Sequence, residues 1–430
     1  MQLILRGLIF RVVFTGIGFL ISLLIAKLAG ADQFGTLSLM IVNAAFIHIL
    51  TGLGTDAAIV WHGIAGKNYS RDKIFSFTIV TGAIQLLFFY IIAILGYIFL
   101  GHTLLGGSLD FKIFFAEVVY FTGLVILDKF LSLYYSQHEA RLCNKIISIV
   151  SGILFLAILL IWILDPASIA DHSIWIYSLY VFIPAFVLFF YYIVKYNPSF
   201  KNISQEEMRS FSTFSSVVLI TNLIQFVAFR ADYWMISIFF DHAAVGVYAQ
   251  ASKFAQVLWI IPGILAGLVT PALKNENEKL TNEGLVSICR LIVFTHLILG
   301  VLMIALSALI FKFFLPDDYY KGFFSLLIML PGYLVYTVNI ILAAYFSANR
   351  LLRINLYGSI LCCVLMLIFD LLFIPRLNYH GAAIANLLSY SITIIFIIFQ
   401  AKKFISVSFK DFFIIKRSDF TIFSNKALNI

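Results

Sequence analysis

The run IFSFTIVTGAIQLLFFYIIAILGYIFL at residues 74–100 contains no charged side chain. It is longer than the roughly 20 apolar residues that a helix needs to cross a bilayer. Similar runs recur along the chain, and of its 430 residues 62% are hydrophobic and only 12% are charged. A soluble domain carries about a quarter charged residues, so this composition excludes one. The sequence predicts an all-α polytopic membrane protein.

Twelve membrane spans are predicted, and the connections between them are too short to fold alone. A soluble catalytic domain is therefore excluded, and any function must be built from the helices themselves. The predicted spans are 8–28, 36–60, 74–100, 112–136, 145–164, 173–194, 213–240, 243–272, 285–314, 321–346, 354–374 and 380–401.

Cationic side chains alternate in number from one connection to the next. Under the positive-inside rule the richer connections face the cytoplasm, which places both termini there, and the even number of spans agrees. The poorer set holds only Lys27, Lys112, Lys312, Lys321 and Arg376. The richer set holds Arg6, Lys67, Arg71, Lys73, Arg141, Lys145, Lys195, Lys201, Arg209, Lys274, Lys279, Arg290, Arg350, Arg353, Lys402, Lys403, Lys410, Lys416 and Arg417.

The two ends of the chain carry weaker signals. No small-residue cleavage site precedes Lys27, so the first segment is expected to be a retained helix rather than a signal peptide. The tail 403–430 mixes phenylalanines with lysines. It is expected either to lie as an amphipathic helix on the anionic inner leaflet or to be a solvated cytoplasmic tail.

The four cysteines form no CxxC pair and show no metal-ligand spacing, which indicates neither a disulfide framework nor a metal centre. No metal or cofactor is expected. The formal charge of +8 is explained by the basic connections, so nucleic acid is not expected as a partner.

The chain repeats itself at about half its length. Gly35 in the stretch GADQFGTLSL matches Gly246 in DHAAVGVYAQ at an offset of 211 residues. Six spans followed by six similar spans predict two six-helix lobes, 1–200 and 205–402, related by a pseudo-two-fold along the membrane normal. Transporters of this kind place substrate near the midplane between such repeats. At an offset of 209, Phe114, Phe115, Gly123 and Arg141 match Phe323, Phe324, Gly332 and Arg350.

Three stretches resemble the polysaccharide transporter family of the multidrug/oligosaccharidyl-lipid/polysaccharide superfamily. The most specific is RADYWMISIFFDHAAVGVYAQASKFAQVLWIIP at 230–262, with Asp232, an apolar half-helix, a short turn and then Gly-x-Tyr-x-x-Ala-x-Lys ending at Lys253. The stretch DLLFIPRLNYHGAAIANLLSY at 370–390 is similar to the family's Asn-x-x-x-Ile-Pro and Gly-Ala-Ala, but Asp370 stands where the family usually has Asn. The third stretch is AGADQFGTLSL at 29–39.

This resemblance implies a Wzx-type flippase, which is not an enzyme. Such proteins move oligosaccharides linked to undecaprenyl pyrophosphate across the bacterial inner membrane, for O-antigen or a similar polymer. The implied partners are the lipid-linked glycan, membrane lipid and proteins of downstream polysaccharide assembly. The implied mechanism is alternating access, coupled to H⁺ or Na⁺.

Cationic side chains inside spans are the candidates for binding a pyrophosphate, because attraction in a low-dielectric site is far stronger than in water. Lys253 lies deep in the eighth span, and Gln250 and Gln256 flank it at i−3 and i+3, so the three are expected on one face. Lys129 and Arg230 also fall within spans. By resemblance, Arg11 belongs to the cytoplasmic entrance for the lipid diphosphate. Each of these side chains could instead hold the bundle together or anchor it.

Carboxylates inside spans are the candidates for ion coupling, since a buried carboxylate can bind and release a proton as its surroundings change. Asp232 is expected on the cavity side. Arg230 is expected on nearly the opposite face of the same helix, because successive residues are about 100° apart. The candidate carboxylates are Asp232, Asp370, Asp56, Asp128 and Glu117. His48 and His296 are expected to be hydrogen-bonded within their bundles.

Two other functions remain open at this stage. A multidrug cation antiporter of the same superfamily shares the fold, but would favour an acidic cavity rather than one with Lys253 and Lys129. A polytopic polysaccharide polymerase would be expected to have a sizeable outer loop, and the predicted outer loops are short. Efflux of a cationic dye separates the first alternative from a flippase.

Overall fold

The computed structural model describes residues 2–65, 69–100, 111–266, 281–405, 407–417 and 419, and their regular secondary structure is helical. Several predicted features lie outside these residues, namely Lys67, Lys274, Lys279, the end of the eighth predicted span (267–272), the side chain of Arg6 and the tail from residue 420 onwards.

Eight helical segments of the described chain are long and apolar enough to cross a membrane, so the protein is a multi-pass membrane protein. The first, Ile9–Gly52, covers one predicted span and most of the next. The count of twelve spans stays a prediction, because three further helices that coincide with predicted spans carry more polar side chains or are shorter. The other seven segments are Arg71–Phe99, Ala140–Leu164, Ser173–Tyr196, Asn282–Phe314, Asp317–Ala348, Leu352–Leu377 and Tyr379–Ala401.

The chain divides into two compact units, Met1–Phe226 and Val227–Ile430, and the division falls inside one helix, α8. The lobes predicted at 1–200 and 205–402 stay a prediction. Unit 1 contains α1 (Gln2–Gly52), α2 (Thr55–Ala65), α3 (Arg71–Leu95, continued as a π-helix over Gly96–Leu100), α4 (Phe111–Ser136), α5 (Ala140–Leu164), α6 (Pro166–Asp171), α7 (Ser173–Tyr196) and the first part of α8 (Gln205–Phe239).

Unit 2 begins within α8 and follows a similar succession of long helices. Its helices are α9 (His242–Val257), α10 (residues 260–266), α11 (Asn282–Leu309, continued as a π-helix over Ile310–Phe314), α12 (Tyr320–Ala348), α13 (Leu352–Leu377) and α14 (Tyr379–Ala401), with short 3₁₀ turns at Asp317–Tyr319 and Phe409–Phe412.

The two matching turns of the sequence fold differently. Around Gly30 the helix is kinked rather than ended, because Gly30 adopts φ 77°, a conformation that glycine reaches without a Cβ clash. At the second turn the helix does end, and Asp241 caps the next one by accepting a hydrogen bond from the backbone N–H of Ala244 at 2.8 Å. A second break in unit 1, at Leu53 and Gly54, separates α1 from α2.

The repeated glycines have equivalent positions within their own units. A Cβ on Gly123 of α4 would lie 2.6 Å from the Cα of Phe182 in α7. A Cβ on Gly332 of α12 would lie 2.8 Å from the Cα of Leu387 in α14. Each glycine therefore lets two helix backbones come close together. This close approach explains why glycine recurs at both positions of the 209-residue repeat.

We expect Gly123→Ala to destabilise unit 1 by about 1–3 kcal/mol, because overpacking against backbone atoms forces the helices apart. Gly152→Ala in α5 is the matched control, since a Cβ there meets nothing within 4 Å. The control should be neutral or stabilising by up to about 1 kcal/mol through helix propensity. Thermal unfolding of both variants in detergent measures the difference, and equal melting temperatures would contradict the proposed close approach.

The start of the C-terminal tail is packed against unit 2. Phe412 and Ile405 are buried in the same apolar cluster as Leu285 of α11 and Phe346 of α12. The described part of the tail is therefore not wholly solvated, and its placement on a membrane surface stays a prediction. The full burial of Phe412 contributes about 1.5–3 kcal/mol.

A buried ion pair fixes the tail further. Arg290 of α11 is only 2% exposed, and its Nε and Nη2 donate hydrogen bonds to the carboxylate of Asp419 at 2.7 and 2.5 Å. Burial raises the pKa of the Asp419 carboxyl, but hydrogen bonds from Arg290 and the Lys416 backbone outweigh it and hold the pKa below its usual range. The cytoplasmic placement predicted for Arg290 stays a prediction, and Asp419 of the tail is its counter-ion.

Candidate functional site

Unit 2 contains a buried acidic centre formed by α8, α9, α13 and α14. Asp232 of α8 is 2% exposed and accepts hydrogen bonds from the hydroxyl of Tyr248 and from Nδ2 of Asn386, the latter at 3.2 Å. The same Nδ2 of Asn386 lies 2.8 Å from the Tyr248 hydroxyl. The backbone N–H of Tyr233 donates to the other oxygen of Asp232 at 2.9 Å. Three helices therefore hold one carboxylate in place.

A second carboxylate belongs to the same centre. Asp370 of α13 is 0% exposed, and among the described residues neither of its oxygens has a hydrogen-bond partner. It interacts electrostatically with Asp232. Two neighbouring carboxylates cannot both stay charged in an apolar interior without large cost. The centre is therefore suited to hold a proton or a bound cation.

Arg230 and Lys253 place positive charge near this acidic centre. The guanidinium of Arg230 donates to Oε1 of Gln256 at 3.0 Å and lies 5.4 Å from the ring centroid of Tyr233. Lys253 is half-buried in α9, one turn before the Gln256 that Arg230 contacts, so the two charges are neighbours. Two like charges held together favour an anion between or beside them.

Arg230 and Asp232, which helical spacing predicts on nearly opposite faces of α8, both have contacts on α9. Arg230 reaches Gln256 of α9, and Asp232 binds Tyr248 of the same helix. Tyr248, which donates to Asp232, and Gln256, which accepts from Arg230, are about two turns apart along α9. Both charges therefore contact α9, at different heights.

Gln250 and Gln256 differ although both lie at helical spacing from Lys253. Gln256 is engaged, because its Nε2 donates to the hydroxyl of Ser252 at 2.7 Å. Gln250 is fully buried, and among the described residues its side-chain amide has no hydrogen-bond partner. An unpaired buried amide costs about 1–3 kcal/mol, which makes Gln250 a candidate to bind a polar ligand group.

Aromatic rings surround the break between α9 and α10. The Trp259 and Tyr333 rings stack with centroids 4.5 Å apart, and Trp259 Nε1 donates to the backbone carbonyl of Tyr333 at 3.2 Å. Tyr336 and Tyr390 lie 4.7 Å apart at the same place. These rings pack mainly on one another, so they form an aromatic cluster next to the C-terminal end of α9.

Unit 1 contains a separate cluster of charges where α1, α2, α3 and α4 meet. Lys129 is 2% exposed, and its Nζ donates to Asp56 at 2.8 Å and to the Thr55 hydroxyl at 2.6 Å. Nε2 of His48 lies 3.1 Å from Asp128 and 3.8 Å from Asp56. Lys129 is therefore tied to a carboxylate, and its assignment to substrate binding stays a prediction.

His48 connects these groups, and Gln85 orients its ring. Nε2 of Gln85 lies 2.9 Å from Nδ1 of His48, so Gln85 can donate to that nitrogen and leave the Nε2 proton for Asp128. The expected hydrogen bonding of His48 within its bundle is confirmed. Its position between two carboxylates was not predicted, since Asp56 and Asp128 are far from it in sequence.

Two remaining candidates are only partly connected to this cluster. Arg11 of α1 adds positive potential at Asp128 and lies 5.9 Å from the ring centroid of Phe14. Glu117 is buried in α4, and its assignment to ion coupling stays a prediction. His296 bonds the carbonyls of Ile292 and Leu258, as expected for a histidine engaged within its bundle.

Comparison with protein families gives one match, to the family described as polysaccharide biosynthesis protein, over residues 7–275. Comparison with curated protein sequences finds no significant match.

Several solved structures share the fold. The lipid II flippase MurJ in an inward closed conformation has a TM-score of 0.72 at 16% identity, over 98% of this chain and 90% of that one. An inward-facing multidrug resistance MATE transporter of the MOP superfamily has a TM-score of 0.67 at 13% identity, over 91% and 94%. A Vibrio cholerae MATE transporter has a TM-score of 0.60 at 14% identity, over 96% and 97%.

Proposed function

The chain belongs to the family of polysaccharide biosynthesis proteins, and from this premise we propose that it flips a lipid-linked oligosaccharide across a membrane. The substrate is a glycan joined through a diphosphate to a polyprenyl lipid, such as an O-antigen repeat unit on undecaprenyl pyrophosphate. The membrane is the bacterial inner membrane, and both termini are cytoplasmic. No covalent bond is made or broken, so the protein is a transporter rather than an enzyme.

One observation supports an anionic substrate most directly. Arg230 of α8 donates to Gln256, one turn after Lys253 on α9, although like charges in an apolar interior repel. A diphosphate would relieve that repulsion and accept charge-assisted hydrogen bonds from both side chains. Gln250, whose buried amide has no partner among the described residues, adds donors for phosphate or sugar oxygens.

The acidic centre supports ion coupling. Asp232 and Asp370 lie within the same unit as Arg230 and Lys253, and Asp232 also acts electrostatically on Arg230. Binding of H⁺ or Na⁺ to these carboxylates changes the charge balance beside the substrate cations. In alternating access, such a change biases one conformation over the other. The cluster of His48, Asp56 and Asp128 in unit 1 is a second candidate for proton binding.

A multidrug cation antiporter is the second candidate function. The acidic centre is the observation that favours it, because a cationic drug could bind carboxylates. Similarity of fold does not separate the two functions, since one fold supports many activities. The adjacent Arg230 and Lys253 disfavour a cation and lead us to the flippase. A polysaccharide polymerase is less well supported, because the predicted outer loops are short.

Replacement of Lys253 tests the proposed site. We expect Lys253→Ala to lower glycan export about ten- to hundredfold, since losing a charged hydrogen bond costs about 1.5–3 kcal/mol. Lys253→Arg keeps the charge and should retain most of the export. Lys312→Ala, which removes an exposed lysine of the same unit, is the matched control and should export normally. Export is measured as outer-surface glycan at equal protein level.

A dye assay with the same cells distinguishes the two candidate functions. The flippase should leave the accumulation of a cationic dye unchanged in wild type and in every variant. Normal glycan export by Lys253→Ala would contradict the assignment of Lys253. Dye efflux without glycan export would favour the antiporter.

A further inference from the structure

A cavity of about 500 Å³ lies at one end of unit 2, where α12 ends, α13 begins and α14 ends. Its lining includes the connection from Arg350 to Ile354, together with Gln400, Lys403 and Phe404. None of these residues belongs to the acidic centre or to the Arg230–Lys253 site. The cavity is therefore a separate feature of the molecule.

The charged side chains that line this cavity are all positive. Arg350 and Arg353 come from the connection between α12 and α13, and Lys403 follows α14. All three are exposed, and Nζ of Lys403 donates to Gln400 at 2.8 Å. Guanidinium groups bind phosphate oxygens bidentately, and an ammonium adds a point charge. The lining thus has the donors that a phosphate group requires.

Apolar side chains border the same cations. Leu352 is 58% exposed and Phe404 is 45% exposed, and both line the cavity. The three helices that meet here are candidate membrane spans, so their common end lies near the level of the lipid headgroups. Cations beside exposed apolar side chains at this level match the two parts of a lipid, a charged head and an acyl chain.

We propose that this cavity binds the phosphate headgroup of an anionic lipid. The guanidinium groups of Arg350 and Arg353 contact the phosphate, Lys403 adds charge, and Leu352 and Phe404 contact the upper part of the acyl chain. Basic pockets between transmembrane helices bind anionic headgroups in this way. The phosphate can belong to a resident phospholipid or to a polyprenyl diphosphate, and the binding chemistry is the same for both.

The test uses the full-length protein in phosphatidylcholine nanodiscs, to which either phosphatidylglycerol or a polyprenyl diphosphate without glycan is added. Bound lipid is counted by native mass spectrometry. The triple variant Arg350→Gln, Arg353→Gln, Lys403→Gln should bind the added lipid at least tenfold more weakly than wild type. The control triple Lys402→Gln, Lys410→Gln, Arg417→Gln loses the same charge from exposed positions outside the cavity and should bind within twofold of wild type.

The arms of this experiment identify the source of the phosphate. Tighter binding of phosphatidylglycerol assigns the cavity to a resident lipid, and tighter binding of the polyprenyl diphosphate assigns it to a substrate lipid. Equal binding by wild type and the cavity variant overturns the proposal, as does an equal loss in the control. Inorganic phosphate that binds as tightly as either lipid also overturns it. Variants are compared only when their melting temperatures in phosphatidylcholine match wild type.

The lipid-binding assay tests this proposal, and the glycan-export assay tests the proposed function, so the two can fail separately. Loss of lipid binding in the cavity variant supports the lipid site even if wild type proves to transport another substrate. Conversely, a failure of lipid binding leaves the Lys253 experiment unaffected, because the two sites share no residue.

Discussion

Asp232→Asn is expected to lower glycan export about ten- to hundredfold while the protein still folds. The carboxylate of Asp232 accepts hydrogen bonds from Tyr248, Asn386 and the Tyr233 backbone, and an amide can accept only part of this set. Charged hydrogen bonds contribute about 1.5–3 kcal/mol each, and 1.4 kcal/mol corresponds to tenfold. Most importantly, an amide cannot take up a proton or neutralise a bound cation at this position.

Asp370→Asn should give a different combination of effects. Asp370 has no hydrogen-bond partner among the described residues, so its charge costs stability and an amide of the same shape removes that cost. We expect the melting temperature to stay equal or rise while ion-coupled export falls at least tenfold. If the role of Asp370 were purely structural, Asp370→Asn would lower the melting temperature instead.

The measurement for both aspartates is export at several pH values and Na⁺ concentrations, together with thermal unfolding in detergent. Asp318→Asn removes an exposed carboxylate of unit 2 and serves as the control, with unchanged export expected. If Asp232→Asn and Asp370→Asn both retain the ion dependence of wild type, the acidic centre has no part in coupling.

Arg290→Met is expected to destabilise unit 2 by about 3–5 kcal/mol, because breaking a buried ion pair leaves an uncompensated charge. Arg290 also donates to the backbone carbonyl of Asp411 at 3.1 Å and to the Ser287 hydroxyl at 2.8 Å. The remaining charge would be Asp419, which is fully buried. Release of Asp419 from its buried position should free the tail and make the chain around Phe412 accessible to protease.

The double variant Arg290→Met, Asp419→Leu separates the ion pair from simple packing. It should be more stable than Arg290→Met alone, since no charge is then left buried. The melting temperatures of wild type, Arg290→Met, Asp419→Leu and the double variant complete this double-mutant cycle. Equal destabilisation by the single and double variants would show that charge burial is not the cause.

The same ion pair predicts a pH dependence. The pKa of Asp419 is lowered in the folded protein, so its contribution is fully present above the ordinary aspartate pKa of about 3.9. It is lost as pH falls through the lower folded value. The melting temperature of wild type minus that of the double variant should therefore fall in acid and stay constant from pH 5 to pH 7.

The sequence predicted the membrane class well, because long uncharged runs leave few alternatives to helices that satisfy their own backbone hydrogen bonds. The family prediction is confirmed by the family match over residues 7–275. The repeated glycines were also found from sequence alone, and Gly123 and Gly332 prove to let helices approach closely in their own units. Uncharged runs, short motifs and a repeat at a fixed offset can all be read along the sequence, so they were sufficient for such inferences.

Contacts between helices could not be predicted in this way. The pairing of Arg290 with Asp419 joins residues 129 apart, and Asn386 reaches Asp232 across 154 residues. His48 approaches Asp128 only because α1 and α4 pack together. The contact of Arg230 with Gln256 of α9 could not be predicted for a related reason, since the angle between two Cβ atoms does not fix where a long side chain ends.

Flipping by the purified protein in proteoliposomes tests the central claim most directly. A polyprenyl-diphosphate oligosaccharide is placed in one leaflet, and a glycan-binding protein reports its arrival in the other. Wild type should move the lipid well above the rate of protein-free vesicles, and Lys253→Ala should move it about ten- to hundredfold more slowly. Wild type that leaves the glycan in its original leaflet, at any ion gradient, while transporting a cationic dye would contradict the account.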